Sequence, residues 1–182
     1  MEISIGKTKL KTITGDITTQ STDAIVNAAN SGLMGGGGVD GAIHRAGGTA
    51  ILEDCKKIIA KIGRLPTGEA VITTAGNMPS KHVIHTAGPV WHGGGQNEEK
   101  KLKNCYAESL KVAMDNGLKT IAFPSVSTGI YGYPVNRASD AAVEAVIDFI
   151  KKNPGALFEQ VIFCGFDSNT EKEYARALKE RI

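Results

Sequence analysis

Hydrophobic positions along the chain fall into two rhythms. Short runs almost free of charge, Ala24-Ile25-Val26, Ala70-Val71-Ile72, His82-Val83-Ile84, Thr120-Ile121-Ala122-Phe123 and Val161-Ile162-Phe163-Cys164, predict strands covered on both faces. Ile3 to Ile5 and Lys9 to Thr14, joined at Gly6-Lys7, read as an opening hairpin. Between the runs, Leu102, Cys105, Tyr106, Leu110 and Ala113 recur at helical spacing, and Gly117 stands where such a helix stops. Ala138, Ala141, Ala142, Ala145, Val146 and Phe149 mark another helix, closed by Asn153-Pro154-Gly155. Shorter helices are expected over Val39 to Ala46 and Ala50 to Ile62, and Ser168 with Glu171 forms a capping-box signature for a last helix carrying Tyr174 and Leu178. Strands alternating with helices predict an α/β domain in which crossover helices cover a mostly parallel sheet. No linker or repeat divides residues 1–182, so one domain is expected.

Composition narrows the function classes. A chain of 182 residues buries roughly 70% of its unfolded surface, so a core forms without disulfide or metal support. The net charge of +2 is evenly spread: residues 1–91 hold nine Lys/Arg and seven Asp/Glu, residues 92–182 twelve of each. That balance argues against a basic nucleic-acid footprint. Cys55, Cys105 and Cys164 are too far apart for a disulfide framework or a zinc motif and are expected to be reduced, buried thiols. His82 and His85 have odd spacing within a strand, which turns them to opposite faces and gives no metal pair. No signal peptide or membrane segment is visible, so a cytoplasmic monomer is the expectation.

Glycine is the unusual count, 22 of 182 residues against an average near 7%. In an open α/β sheet, ligands bind beyond the carboxyl ends of the strands. Four segments fall there: Gly15-Asp16-Ile17-Thr18; Asn27-Ala28-Ala29-Asn30 followed by Gly35-Gly36-Gly37-Gly38; Ser125 to Gly132; and Phe166-Asp167. Residues without Cβ let backbone N–H groups reach an anion, and the helix after the glycines adds its positive end. Two such loops facing each other would grip a diphosphate; the competing reading is a pair of structural turns. A P-loop is excluded because neither loop contains lysine, and consecutive glycines do not make a dinucleotide fingerprint.

Individual residues carry both readings. Asp16 suits a nucleobase amino group or a turn cap. Asn27 and Asn30 need amide partners when buried, so one is expected to brace the loop and the other to face ligand hydroxyls. Asp40, at the start of the short helix, is either a simple helix-start residue favoured by the dipole or a group that orients a water. His44, one turn on, shares its face and is placed to pair with it. Tyr131 and Phe166 suit stacking on a sugar and a base, or are core and rim residues. Trp91, His92 and Gly93-Gly94-Gly95 read as a mobile surface loop without assignable chemistry. No Ser-His or Cys-His pair is placed for covalent catalysis, which leaves water as the nucleophile.

Taken together, Gly15-Asp16-Ile17-Thr18, Asp23 to Asn30, Gly35 to His44, Val83-Ile84-His85-Thr86-Ala87-Gly88-Pro89 and Ala122 to Gly132 resemble the macrodomains, in particular their MacroD-type branch, in order and over nearly the whole chain. The resemblance implies a three-layer α/β/α sandwich with a mixed, mostly parallel sheet. It also implies binding of ADP-ribose, and hydrolysis, with no cofactor or metal, of the ester between ADP-ribose and a protein Asp or Glu, or of O-acetyl-ADP-ribose. A non-catalytic reader of ADP-ribose is the alternative. By motif position, Asp16 with the Ile17 backbone would hold the adenine amino group and Phe166 would stack on the ring. Gly36, Gly37, Gly38 and Val39, facing Ser125, Ser127, Thr128, Gly129, Ile130 and Tyr131, would hold diphosphate and distal ribose, with Asn27 among the ligand contacts. Asn30 would orient the distal ribose and Asp40 the attacking water. Ala75 to Pro79 and Gly63 to Pro66 depart from the commoner family pattern, outside these loops.

Overall fold

The computed structural model describes residues 1–182. Seven strands, β1 (Glu2–Ile5), β2 (Thr8–Thr14), β3 (Ala24–Ala29), β4 (Ala70–Thr74), β5 (His82–Ala87), β6 (Thr120–Phe123) and β7 (Gln160–Gly165), form one sheet in the order β1-β2-β7-β6-β3-β5-β4. The five central strands are mutually parallel; β1 and β4 close the edges antiparallel. The helices are α1 (Gly38–Gly47), α2 (Thr49–Ile62), α3 (Glu98–Asp115), α4 (Val135–Lys152) and α5 (Ser168–Lys179).

Strand alternation sorts the core into two layers. Ala24, Val26, Ile84, Ile121, Phe123, Val161 and Phe163 face α3, α4 and α5, where Leu102, Tyr106, Val146 and Tyr174 complete the larger cluster. Ile25, Ala29, Val83, Ala87, Ala122, Ile162 and Cys164 face the other way, onto Ile43 of α1 and Ile51 and Cys55 of α2. Both sheet faces are therefore buried, which is why the strand runs carry so little charge. The sandwich and its mixed, mostly parallel sheet are as expected from the sequence. All three cysteines are buried and unbonded, and burial pushes each thiol up to about 11.

The start of α5 differs from its expected cap. Asp167, extended in backbone, is the N-cap, its carboxylate accepting from the Thr170 amide at 2.8 Å. Ser168 is already helical, and Glu171 accepts from the Thr12 hydroxyl at 2.9 Å instead of closing a capping box. A carboxylate is the stronger acceptor at the positive end of a helix, so the aspartate one residue earlier takes the role. No helix is long and apolar enough to cross a membrane.

Candidate functional site

Because β2, β7, β6 and β3 are parallel, the segments that follow them emerge at one end of the sheet. There the glycine loop after β3 and the serine loop after β6 line opposite walls of a cavity of about 200 Å³. The glycine wall consists of Asn30, Gly36, Gly37, Gly38, Val39 and Asp40; the facing wall of Ser125, Val126, Ser127, Gly129, Ile130 and Tyr131.

The glycine wall is shaped by missing side chains. At Gly36 a Cβ would stand 3.0 Å from Asp40 Oδ2 and 3.3 Å from Asn30 Nδ2, so glycine keeps open the space between these two groups. Asn30 closes the loop beneath: its Nδ2 donates to the Gly35 carbonyl at 3.0 Å, and its Oδ1 accepts from the Gly32 and Leu33 amides, each at 3.1 Å. The second Nδ2 proton has no partner within the protein. Gly37 caps α1 with no side-chain bond, leaving amides of the helix's first turn without a capping side chain.

The serine wall is braced from behind. The Tyr106 hydroxyl donates to the Pro124 carbonyl at 3.2 Å and accepts from the Val126 amide at 3.3 Å. Tyr174 donates to Ser125 Oγ at 3.0 Å, and Thr128 Oγ1 donates to the Ser125 carbonyl at 2.9 Å. Burial raises both tyrosine hydroxyls above their ordinary range, so they stay protonated and able to donate. Ser127 adopts a left-handed backbone at φ 67°, uncommon for a residue with a side chain, and its hydroxyl is buried without a partner in the cavity wall. Trp91 donates its amide to the Tyr131 carbonyl at 2.9 Å, which joins this wall to the next loop. That loop is not the loose segment anticipated from its glycines. The Glu98 carboxylate accepts from the His92 and Gly94 amides at 2.9 Å each and also from Gln96. Although burial of the side chain opposes it, this collection of donors holds its pKa down at about 2.

Asp40 lies in the first turn of α1, 6% exposed, with its two oxygens in different surroundings. Oδ1 accepts from Asn27 Nδ2 at 2.7 Å and lies 3.4 Å from His44 Nε2, the i,i+4 pairing anticipated. Oδ2 is turned toward Gly36 and the cavity. A carboxylate fixed through one oxygen and open through the other is suited to orient a water.

The Macro domain family profile matches residues 26–142, the stretch that holds both walls of the cavity. The chain belongs to the Macro domain family. It is 51% identical over 175 residues to the O-acetyl-ADP-ribose deacetylase of Escherichia fergusonii, covering 96% of this chain and 98% of that one. It is 52% identical over 174 residues to a Macro domain-containing protein of Caldanaerobacter subterraneus, with the same coverage. Among solved structures, an Oceanobacillus iheyensis macrodomain variant with ADPR superposes at a TM-score of 0.94 with 38% identity, covering all of this chain and 97% of that one. The Trypanosoma brucei macrodomain in complex with ADP-ribose gives 0.83 with 37% identity, covering 93% of this chain and 68% of that one.

Beyond the ends of β2 and β7 this macrodomain presents an open shelf. Asp16 caps a single 3-10 turn at Ile17–Thr19, its Oδ1 accepting from the Thr18 amide and hydroxyl at 2.9 and 2.7 Å. The turn-cap reading therefore holds for one oxygen, while Oδ2 remains free on an exposed side chain. Gly15 donates to the Gly165 carbonyl at 2.9 Å, which brings Asp16 beside Phe166, 86% exposed after β7. A large aromatic left that bare at a strand end offers a stacking surface.

Five residues anticipated as ligand contacts do not line the macrodomain's cavity. Asp16, Ile17 and Phe166 form or adjoin the shelf, and Thr128 holds Ser125. Asn27 is fully buried in β3 behind Asp40 and touches no cavity space, a correction with a simple cause: it is on the strand face that packs under α1, so its amide is covered by Asp40. Sequence reasoning missed Ala28, Ala29, Val126 and Gly88 in the lining. Gly88 was legible as a glycine ending a strand; a Cβ there would run into the Ser127 hydroxyl.

Proposed function

We propose that this macrodomain is an ADP-ribosyl ester hydrolase. Its substrates are O-acetyl-ADP-ribose and mono-ADP-ribose esterified to Asp or Glu side chains of proteins. The observation that carries the reading is the position of Asp40 Oδ2, open toward the end of a cavity walled by two amide-rich loops. The naming of relatives at about half identity over nearly the whole chain as O-acetyl-ADP-ribose deacetylases supports it.

In this reading the pyrophosphate lies between the first-turn amides of α1 and the amides of residues 127–131, the adenine rests on Phe166 with its amino group at Asp16, and Asn30 holds the distal ribose. Water held by Asp40 Oδ2 attacks the acyl carbon. The ester C–O bond breaks, the ribose oxygen takes a proton, and a carboxylic acid leaves with free ADP-ribose. Loop amides stabilise negative charge as it develops on the carbonyl oxygen. Three buried unbonded thiols support a cytoplasmic setting.

Incubation of Glu-linked ADP-ribosylated protein, and separately of O-acetyl-ADP-ribose, with saturating macrodomain tests the proposal. Release of ADP-ribose from either is expected. Tight binding of ADP-ribose with no release from either ester would make the chain a reader instead.

A further inference from the structure

Behind Asp40 lies a row of polar side chains that the hydrolysis above does not use. β3, β5 and β4 are adjacent in the sheet, and Asn27 pairs directly with His85 in the register of β3 and β5. Both side chains point to the face covered by α1 and α2, where strand neighbours are otherwise apolar: Ile25 and Ala29 flank Asn27, and Val83 and Ala87 flank His85. Asn27 and His85 are 0% exposed, and Thr73 of β4 is 4% exposed. Three polar residues in such a layer need a reason, because burying them costs free energy unless their hydrogen bonds are complete and directed.

The bonds run in one sense. Asn27 Nδ2 faces a carboxylate, Asp40 Oδ1, at 2.7 Å, so the amide is oriented with its NH2 toward Asp40. The same Nδ2 lies 3.0 Å from His85 Nδ1, so that ring nitrogen must present its lone pair and the single ring proton sits on Nε2. Nε2 is 2.8 Å from Thr73 Oγ1, which itself donates to the Thr74 carbonyl at 2.9 Å and so has a lone pair for the imidazole N–H. Thr73, His85, Asn27 and Asp40 thus form one directed chain across three strands to the carboxylate in the cavity. A protonated ring would set an N–H against the Asn27 amide; burial, and after it the nearby His44, push the His85 pKa down to about 3.

We infer that His85 is a positioning residue for the hydrolysis: through the lone pair on Nδ1 it fixes the Asn27 amide, which in turn fixes Asp40 Oδ1 and leaves Oδ2 aimed at the water. This rests on the assignment of Asp40 as the group that orients water. If Asn27 lost its acceptor at His85, its amide would be free to turn its oxygen toward Asp40 Oδ1, a repulsive contact that would rotate the carboxylate. Asn27 Oδ1 has no partner in its present orientation, so the bonds to His85 and Asp40 alone hold the amide this way round. His85 is fully buried and lines no part of the cavity, so its effect belongs to turnover and not to affinity.

Two measurements test the inference. In ¹⁵N NMR of the intact wild-type protein, His85 is expected to show a protonated Nε2 and an unprotonated Nδ1 throughout about pH 5 to 8. A proton on Nδ1, or a ring that titrates in that range, would overturn it without reference to activity. In kinetics, His85→Leu removes the acceptor and His85→Asn keeps one at the Nδ1 position. His85→Leu is expected to lower kcat by about tenfold, in the range seen for groups that orient a catalytic ligand, with the Kd for ADP-ribose changed by less than about twofold. His85→Asn should restore most of the rate, and His85→Leu should cost nothing further in an Asp40→Ala background. Parallel loss of affinity, no rescue by asparagine, or an additive loss on top of Asp40→Ala each contradict the positioning role. If His85→Leu does not fold, the NMR result and the His85→Asn rate still decide. Should Asp40→Ala keep full turnover, the hydrolytic role of Asp40 fails, a result distinct from a wrong His85 tautomer.

Discussion

The two walls of the cleft do similar work by opposite construction. The glycine wall is defined by space: Gly36 leaves room between Asn30 and Asp40, and Gly41, where a Cβ would come within 2.6 Å of the Gly36 carbonyl, lets α1 approach the loop. The serine wall is defined by bonds, with two buried tyrosine hydroxyls and the Thr128 hydroxyl holding Ser125 and Val126 from behind. Only the glycine wall carries a carboxylate with an open oxygen. The difference adds a task on one side: both walls offer amides to the ligand, the serine wall as a rigid grip set before the ligand arrives, but only the glycine wall also positions the reacting groups. Damage to Asp40 and its setting is therefore expected to appear in turnover, and damage on the serine side in affinity.

The sharpest test of that division is Asp40→Ala. It should lower turnover by about 100-fold or more while ADP-ribose affinity changes little, read by ester hydrolysis and calorimetry on the same preparation. A matching loss of affinity would make Asp40 part of the grip and blur the division. Gly41→Ala comes next, because backbone offers the new methyl no escape: a destabilisation of about 1–3 kcal/mol in urea unfolding is expected, together with a loss of turnover as Gly36 is displaced from Asp40.

On the other wall, a Cβ at Gly129 would meet nothing within 4 Å, so the stability of Gly129→Val should stay close to wild type. Its affinity for ADP-ribose should nevertheless fall about tenfold, near 1.4 kcal/mol, because the new side chain obstructs the approach to phosphate. Unchanged calorimetric affinity in the folded variant would remove Gly129 from the grip. Tyr174→Phe deletes one brace of Ser125 and should cost about 1 kcal/mol of stability with a smaller loss of affinity, and no change in kcat. The smallest effect is at Glu98, which holds the loop next to Tyr131. Its pKa falls from 4.5 to about 2 on folding, so its contribution is complete above the unfolded value and disappears as the pH drops through the folded one. Glu98→Gln should therefore lose stability at neutral pH but show a shallower decline between about pH 4.5 and 2, followed by thermal melts.

Most of the fold was readable because both sheet faces are buried: uncharged runs such as Thr120 to Phe123 leave little alternative to a central strand, and the glycine and serine loops follow such runs directly. The site was readable as a set of loops but not as a set of contacts. Asn27 looks like Asn30 in sequence, three residues away at a strand end; only the fold decides that Asn27 lies in β3 under α1 while Asn30, just past the strand, reaches the cavity. The bracing roles of Glu98 and Tyr174 were invisible for a different reason. Their partners are 2 to 6 and 49 residues distant, in loops whose path no local pattern dictates. Even the α5 cap lies one residue before the expected one, because Asp167 and Ser168 are both good caps and the carboxylate wins at the positive end of the helix.

The central claim is that amides from these two walls close on a pyrophosphate, and a crystal of the protein soaked with ADP-ribose tests it most directly. The account predicts phosphate oxygens about 2.7–3.2 Å from backbone nitrogens in both residues 36–39 and 127–131, adenine against Phe166, and the distal ribose beside Asn30 and Asp40. Phosphates touching only one wall, or a ligand seated elsewhere on the sheet while this cleft stays empty, would contradict it.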